Sequence, residues 1–223
     1  MRTARKVWAI VRKDIETELL TREIVSAMLV FAVLSVVVFG MALDLERAAA
    51  RLAAPGVYWT TVCLAGTLGL SRSLAREQAD GCLEGLLLGP FDRSVIYLGK
   101  LVGNVIFIIV VEIVLAPVLL VLFDVSLFSL SFLFLAVLGT IGYSAVGTLI
   151  AVVASNTRAR EVMLPILLLP LVVPLLIPLV QATQALLDGA LFAEIRDWVR
   201  IVAVYDVVIL AVALVVFDHA VES

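Results

Sequence analysis

Two carboxylates lie inside strongly apolar runs, Glu112 within Leu101 to Phe123 and Asp206 within Val199 to Phe217. A charge at the centre of a bilayer costs at least ~2.5–3.5 kcal/mol, so such residues face a cavity or a partner. One reading makes Glu112 and Asp206 the lining of a translocation path or a proton-linked switch. The plainer reading is preferred: a protonated Glu112 hydrogen-bonded to a neighbouring helix, and an Asp206 wetted near the outer interface. A carboxylate pair could also serve intramembrane proteolysis, but no supporting motif surrounds either residue. The two cysteines, Cys63 and Cys82, are far apart and form no CxxC pair, and the single histidine, His219, stands in the tail. No metal site, disulfide framework or haem attachment motif is therefore expected.

A third constellation is polar and lies between two apolar runs: Arg76-Glu77-Gln78-Ala79-Asp80-Gly81-Cys82-Leu83-Glu84-Gly85-Leu86-Leu87-Leu88-Gly89-Pro90. Asp80-Gly81 reads as a turn, and Asp80 as the cap of a short helix. Leu83, Leu86 and Leu87 fall at i, i+3 and i+4, giving one apolar face. Gly89-Pro90 ends the helix, because proline lacks the N–H that would continue it. An apolar anchor rimmed by Glu77, Asp80 and Glu84 is what a protein partner needs for grip and register. The alternative is a bare loop with interfacial leucines.

The elements that must position these residues are membrane helices. Hydrophobic residues make up 63% of the 223-residue chain and charged residues 16%, too apolar a balance for a soluble domain. The net charge of −3, spread over short loops, implies no nucleic-acid partner. A spanning helix needs about 20 apolar residues. Six segments qualify: Ile24 to Leu43, Leu52 to Ser71, Leu101 to Phe123, one within Val125 to Thr157, Val162 to Leu187, and Val199 to Phe217. Pro55-Gly56 opens the second, and Tyr58-Trp59 reads as an interfacial aromatic pair. Residues 1–23 carry Val7 or Trp8, Val11, Ile15 and Leu19 at helical spacing, predicting a basic amphipathic helix at the membrane interface. The expected fold is an all-α polytopic membrane protein, one permease domain over 1–223, with a cytoplasmic coupling loop at 71–100.

Orientation follows from the cations. Twelve of the 16 Lys and Arg residues fall before the first span, between the second and third, or between the fourth and fifth. Positive loops stay cytoplasmic, which places both termini and the 76–90 hook there. Gly99 and Gly103, and Gly147, Ala151 and Ser155, recur every four residues, a spacing that lets helices approach closely. Pro165, Pro170, Pro174 and Pro178 crowd the fifth span and predict a broken or re-entrant segment. No phosphate loop occurs, since Gly99-Lys100 lacks the upstream glycine and a following Ser or Thr. Work driven by ATP would need an ATPase on another chain, and the chain itself is not expected to be an enzyme.

The pattern Arg76-Glu77-x-x-Asp80-Gly81-x-Leu83-Glu84-x-Leu86-Leu87-Leu88-x-Pro90, followed by Gly99-Lys100, closely resembles the cytoplasmic loop of the CcmB family, the permease subunits of the cytochrome c maturation ABC transporter. Lys13-Asp14-x-Glu16-x-Glu18 is similar to that family's Lys-Asp-x-x-x-Glu stretch before the first span. Pro55-Gly56-Val57-x-Trp59 and the proline run from Leu164-Pro165 to Pro178 resemble its second and fifth spans. Cys82 and Gly85 depart from the pattern, where a hydroxyl and a larger residue would be expected. The resemblance implies a six-helix subunit that pairs with a CcmA-like ATPase and works with CcmC-, CcmD- and CcmE-like haem-handling proteins amid membrane lipids. Glu77, Asp80, Gly81, Leu83, Glu84, Leu86, Leu87 and Pro90 would then be the ATPase-coupling residues. ATP would sit on the partner, and no cofactor is expected on this chain, whose one tail histidine offers no axial ligand pair for haem. A homodimeric membrane core is left open. Two alternatives stand: a generic type-2 ABC exporter permease for a lipid, drug or polysaccharide, because such permeases carry a similar hook, and a membrane enzyme using Glu112 and Asp206.

Overall fold

The computed structural model describes residues 2–43, 47–79, 93–155 and 160–220, and among them seven α-helices and no strand. They are α1 (Arg2–Thr21), α2 (Glu23–Leu43), α3 (Arg47–Ala79), α4 (Arg93–Phe123), α5 (Leu130–Ser155), α6 (Arg160–Leu187) and α7 (Arg196–Ala220). Five of them, α2 and α4 to α7, are long and apolar enough to cross a membrane. The remaining expected span, Leu52 to Ser71, lies within α3, which falls short in apolar character. Its place in the bundle accounts for this. Helix α3 packs against α2, α4, α5 and α6, and buries Tyr58, Trp59, Thr61, Val62 and Ala65. A helix surrounded by protein can carry threonines and glycines on faces that a lipid-facing helix must keep apolar.

Helix ends differ from the sequence-based expectation in a consistent direction. Pro55 does not open a helix but lies inside α3. Lys100 is not in a loop, because α4 starts at Arg93, so the segment expected as loop at 71–100 is helical over 71–79 and 93–100. Tyr58 and Trp59 are not interfacial anchors. They are 1% and 2% exposed, and Tyr58 packs edge-on against both Trp59 and Phe132. Periodicity alone cannot separate an aromatic belt from an aromatic core. The deciding factor is the burial of α3 on nearly every side.

The four prolines do not break the fifth span: α6 is one helix from Arg160 to Leu187. Leu164, Leu168, Val172, Leu175, Leu179 and Ala182 form its inward stripe, spaced by three or four. Pro170 and Pro174 lie on the exposed face, Pro165 is partly covered and Pro178 is buried. Nearby helices bind polar groups along the run. The Tyr205 hydroxyl of α7 donates to the Leu171 carbonyl, and the Trp59 indole of α3 donates to Thr183 Oγ1 at 3.0 Å. The Arg51 guanidinium donates to the Leu187 carbonyl at the C-terminus of α6, where a cation complements the helix dipole.

Close approach between α3 and α5 depends on glycines at 66, 139 and 147, of which Gly66 faces the least yielding neighbour. A Cβ on Gly66 would stand 2.6 Å from the Tyr143 ring, whose hydroxyl donates to the Cys63 carbonyl at 2.7 Å. The ring is rigid and enclosed, so it cannot yield without losing that bond. Gly66→Ala is therefore expected to destabilise the bundle by about 1–3 kcal/mol, and Tyr143→Phe by about 1 kcal/mol. Thermal unfolding in detergent checks both, and the Gly66 variant should melt lower.

Candidate functional site

The segment before the first span folds into α1 because its apolar residues share one side. Val7, Ile10, Val11 and Ile15 face the bundle, and Ile10 and Val11 are buried. The stripe does not run through Trp8 and Leu19 as the spacing suggested, since these are 60% and 67% exposed. It runs instead through two acids one helical turn apart, Asp14 and Glu18. Helix α1 lies on the start of α4, where Gly99 makes the seat: a Cβ there would meet Ile10 at 2.8 Å. Gly103, one turn further, leaves the space beside Asp14 Oδ2 open. The small-residue spacing in this region is thus a docking surface for α1.

Each acid holds a different part of the chain. Lys100 Nζ of α4 donates to Asp14 Oδ2 at 2.9 Å, and the two side chains are only 10% and 15% exposed. Glu18 is 5% exposed. Its Oε1 accepts the backbone N–H groups of Ile24 at 3.0 Å and Val25 at 2.8 Å, capping the N-terminus of α2. Its Oε2 lies 3.7 Å from Arg76 Nη1, and that nitrogen donates to Thr21 Oγ1 at 3.0 Å. Arg22, with φ of 54°, turns the chain sharply between α1 and α2, which brings the cap within reach of Glu18.

Arg76 and Lys100 flank the hook on its two sides. Helix α1 therefore grips α3 just before the hook and α4 just after it, through one carboxylate each. Of the expected coupling residues, Glu77 lies on α3 with its side chain outside the described residues. Asp80, Gly81, Leu83, Glu84, Leu86, Leu87 and Pro90 lie wholly outside them. Asp14, Glu18 and Thr21 are the contacts that reasoning from the hook alone missed. The available signal was the pair of acids at i and i+4 in a helix otherwise rich in cations.

Deeper in the bundle, Glu112 is 7% exposed and accepts a hydrogen bond from Thr140 Oγ1 of α5 at 2.8 Å. The buried Tyr58 of α3 lies beside the same carboxyl, and both line one cavity. This is the plainer of the two readings, a carboxyl satisfied by neighbouring helices. Asp206 is not wetted near an interface. It is 4% exposed, neither carboxyl oxygen has a hydrogen-bond partner, and Oδ1 would lie 2.0 Å from a Cβ on Gly142. Thr140 and Gly142 are two residues apart, about 200° round the helix. Glu112 and Asp206 thus approach different sides of α5 and are not brought together as a dyad.

The model of the family described as CcmB protein matches residues 5–223, nearly the whole chain. The chain belongs to the CcmB family. No curated protein matches it. The match takes in α1, both sides of the hook and every apolar helix, so the α1 clasp lies within the part of the chain that defines family membership. Together with the five apolar helices, membership makes this a multi-pass membrane protein. It also implies the permease role in the ABC system of cytochrome c maturation.

For this CcmB chain the buried pair between α1 and α4 generates a direct test. Removing one partner of a buried ion pair costs about 3–5 kcal/mol when the other is stranded, whereas replacing both by apolar residues can be near neutral. Lys13 Nζ, 3.2 Å from Asp14 Oδ1, offsets part of that cost here. Lys100→Met alone should lower the melting temperature in detergent markedly. Adding Asp14→Leu should recover most of the loss, and an additive double variant would show that the two side chains are not coupled.

Proposed function

We propose that this chain is the membrane permease subunit of a cytochrome c maturation ABC transporter, and that α1 carries movement of the hook into the bundle. ATP is hydrolysed by a separate CcmA-like chain that grips the hook between α3 and α4. Leu83, Leu86 and Leu87 are the apolar anchor, while Glu77, Asp80 and Glu84 fix register on the ATPase surface. Gly81 and Pro90 belong to the same coupling segment. The observation that carries this reading is the α1 clasp, with Asp14 on Lys100 and Glu18 on Arg76. A displacement of the hook reaches α1 from both sides, and Glu18, as the cap of α2, passes it to the next helix.

Several finer statements belong to the same proposal. Helix α3 is the second of six spans in chain order, bringing the five apolar helices to six and running through the centre of the bundle. The cation-rich side, with both termini and the hook, faces the cytoplasm, and the membrane is the inner or cytoplasmic membrane. The chain is non-catalytic and acts with CcmC-, CcmD- and CcmE-like proteins. Its role is mechanical: ATP-driven release of a haem-loaded chaperone, with haem as cargo of the assembly rather than a group resident on this subunit. A pair of copies would give a two-fold core that two ATPase subunits can serve.

The hook and the clasp separate experimentally. Glu84→Lys should reduce co-purification of the ATPase at least tenfold in mild detergent, and undiminished capture would remove the hook from the interface. Asp14→Asn with Glu18→Gln should leave capture intact but abolish mature c-type cytochromes, because the ATPase binds without moving the bundle. Normal cytochrome c maturation in a strain lacking this chain would instead favour the generic exporter.

A further inference from the structure

At the end of the bundle opposite α1, two adjoining cavities share Leu127, Ser129 and Phe132 in their walls. The first, about 270 Å³, is polar and lies over the start of α3 and the end of α6. Arg51 and Asp124 both line it, yet no ion pair joins them. Opposite charges facing one small cavity without meeting leave room for a group that carries both signs. Arg51 spends one donor on the Leu187 carbonyl, and a guanidinium has five. Asp124 is exposed, its φ of 54° turning the chain out of α4.

The second cavity, about 430 Å³, is an almost wholly apolar groove between α4 and α5. Its mouth is rimmed by Ile113, Phe128 and Leu133, which are 65%, 66% and 57% exposed on helices and a loop that face lipid. The groove reaches down past Glu112, whose Oε1 accepts the Thr140 hydrogen bond, to Ile109. The α4 residues that line the groove run from Ile109 to Ala116, about 10 Å at 1.5 Å per residue. One leaflet of a hydrocarbon core of about 30 Å is about 15 Å deep. The groove therefore holds the part of one acyl chain nearest its head group, and the polar cavity sits where that head group would be.

We propose that the two cavities form a binding site for a zwitterionic glycerophospholipid. Its phosphate rests on the Arg51 guanidinium, where two parallel N–H donors suit phosphate oxygens. Its ammonium meets Asp124, and one acyl chain fills the groove between α4 and α5. The pairing of opposite charges selects against anionic head groups, which lack a partner for Asp124 and are repelled by it. An occupant placed there bridges the α4–α5 connection to the start of α3 and the end of α6, at the end of the bundle remote from the hook.

The test uses the full chain, stripped of lipid in detergent and titrated with phosphatidylethanolamine or phosphatidylglycerol of matched chains, followed by native mass spectrometry. The site predicts at least fivefold tighter retention of phosphatidylethanolamine. Asp124→Asn, which keeps a residue tolerant of positive φ, should collapse that preference to less than twofold. Ala116→Phe, which fills the groove, should reduce binding of both lipids at least tenfold. Equal retention of the two lipids by the unaltered chain overturns the proposal, as does a preference that survives Asp124→Asn. Should the larger side chain at position 116 prevent folding, the Asp124 comparison decides alone.

Discussion

The arrangement around the hook depends on two carboxylates placed one helical turn apart on α1 and turned away from solvent. Either acid would be costly if buried alone, and each is made tolerable by a different neighbour: Lys100 for Asp14, and the first N–H groups of α2 with Arg76 for Glu18. Satisfying them leaves α1 little freedom to move independently of α3 and α4. An interfacial helix held only by its apolar stripe could slide or rotate along the bundle at small cost. With the acids in place its position is tied to the stems of the hook, and the stems are tied to one another through it.

Inside the bundle the polar groups obey a different rule. Most are satisfied across helix interfaces: Thr140 on Glu112, Asn104 on Thr148, Tyr143 on the Cys63 carbonyl, and Trp59 on Thr183. These bonds join α3, α4, α5 and α6, while glycines at 66, 139 and 147 bring the same helices close enough to form them. The exceptions among the described residues include the Thr61 and Ser144 hydroxyls and, with both oxygens unpartnered, Asp206. Its oxygens lie against the backbone at Gly142 with no donor in reach, which marks the α5–α7 contact as the least satisfied in the core.

Much of the architecture was legible in the sequence. Long uncharged runs gave the apolar helices, and the glycine spacing at 99 and 103 identified a close contact. The errors share a cause: hydropathy and periodicity describe one helix at a time. Tyr58-Trp59 looks like an interfacial belt until α3 is known to be surrounded by helices. Four prolines look disruptive until α6 is seen to turn Pro170 and Pro174 outward and pack its leucines inward. The grip of Asp14 on Lys100 joins residues 86 positions apart, and nothing local indicates which cation an acid will find. The Lys13-Asp14 segment and Gly99-Lys100 both resemble one family's pattern, but that resemblance does not show that they meet.

On the proposed six-span reading, the modest apolar character of α3 has a consequence for how the chain enters the membrane. Helices such as α2 and α4 can partition into lipid on their own, whereas α3 carries threonines and glycines that suit protein neighbours better than hydrocarbon. Its stability in the bilayer is borrowed from helices on both sides of it in the sequence. Helix α2 is already present when α3 emerges from the ribosome, but α4, α5 and α6 are not. The central helix of the finished bundle is therefore the one whose insertion must wait on, or be sheltered until, the synthesis of the helices that enclose it.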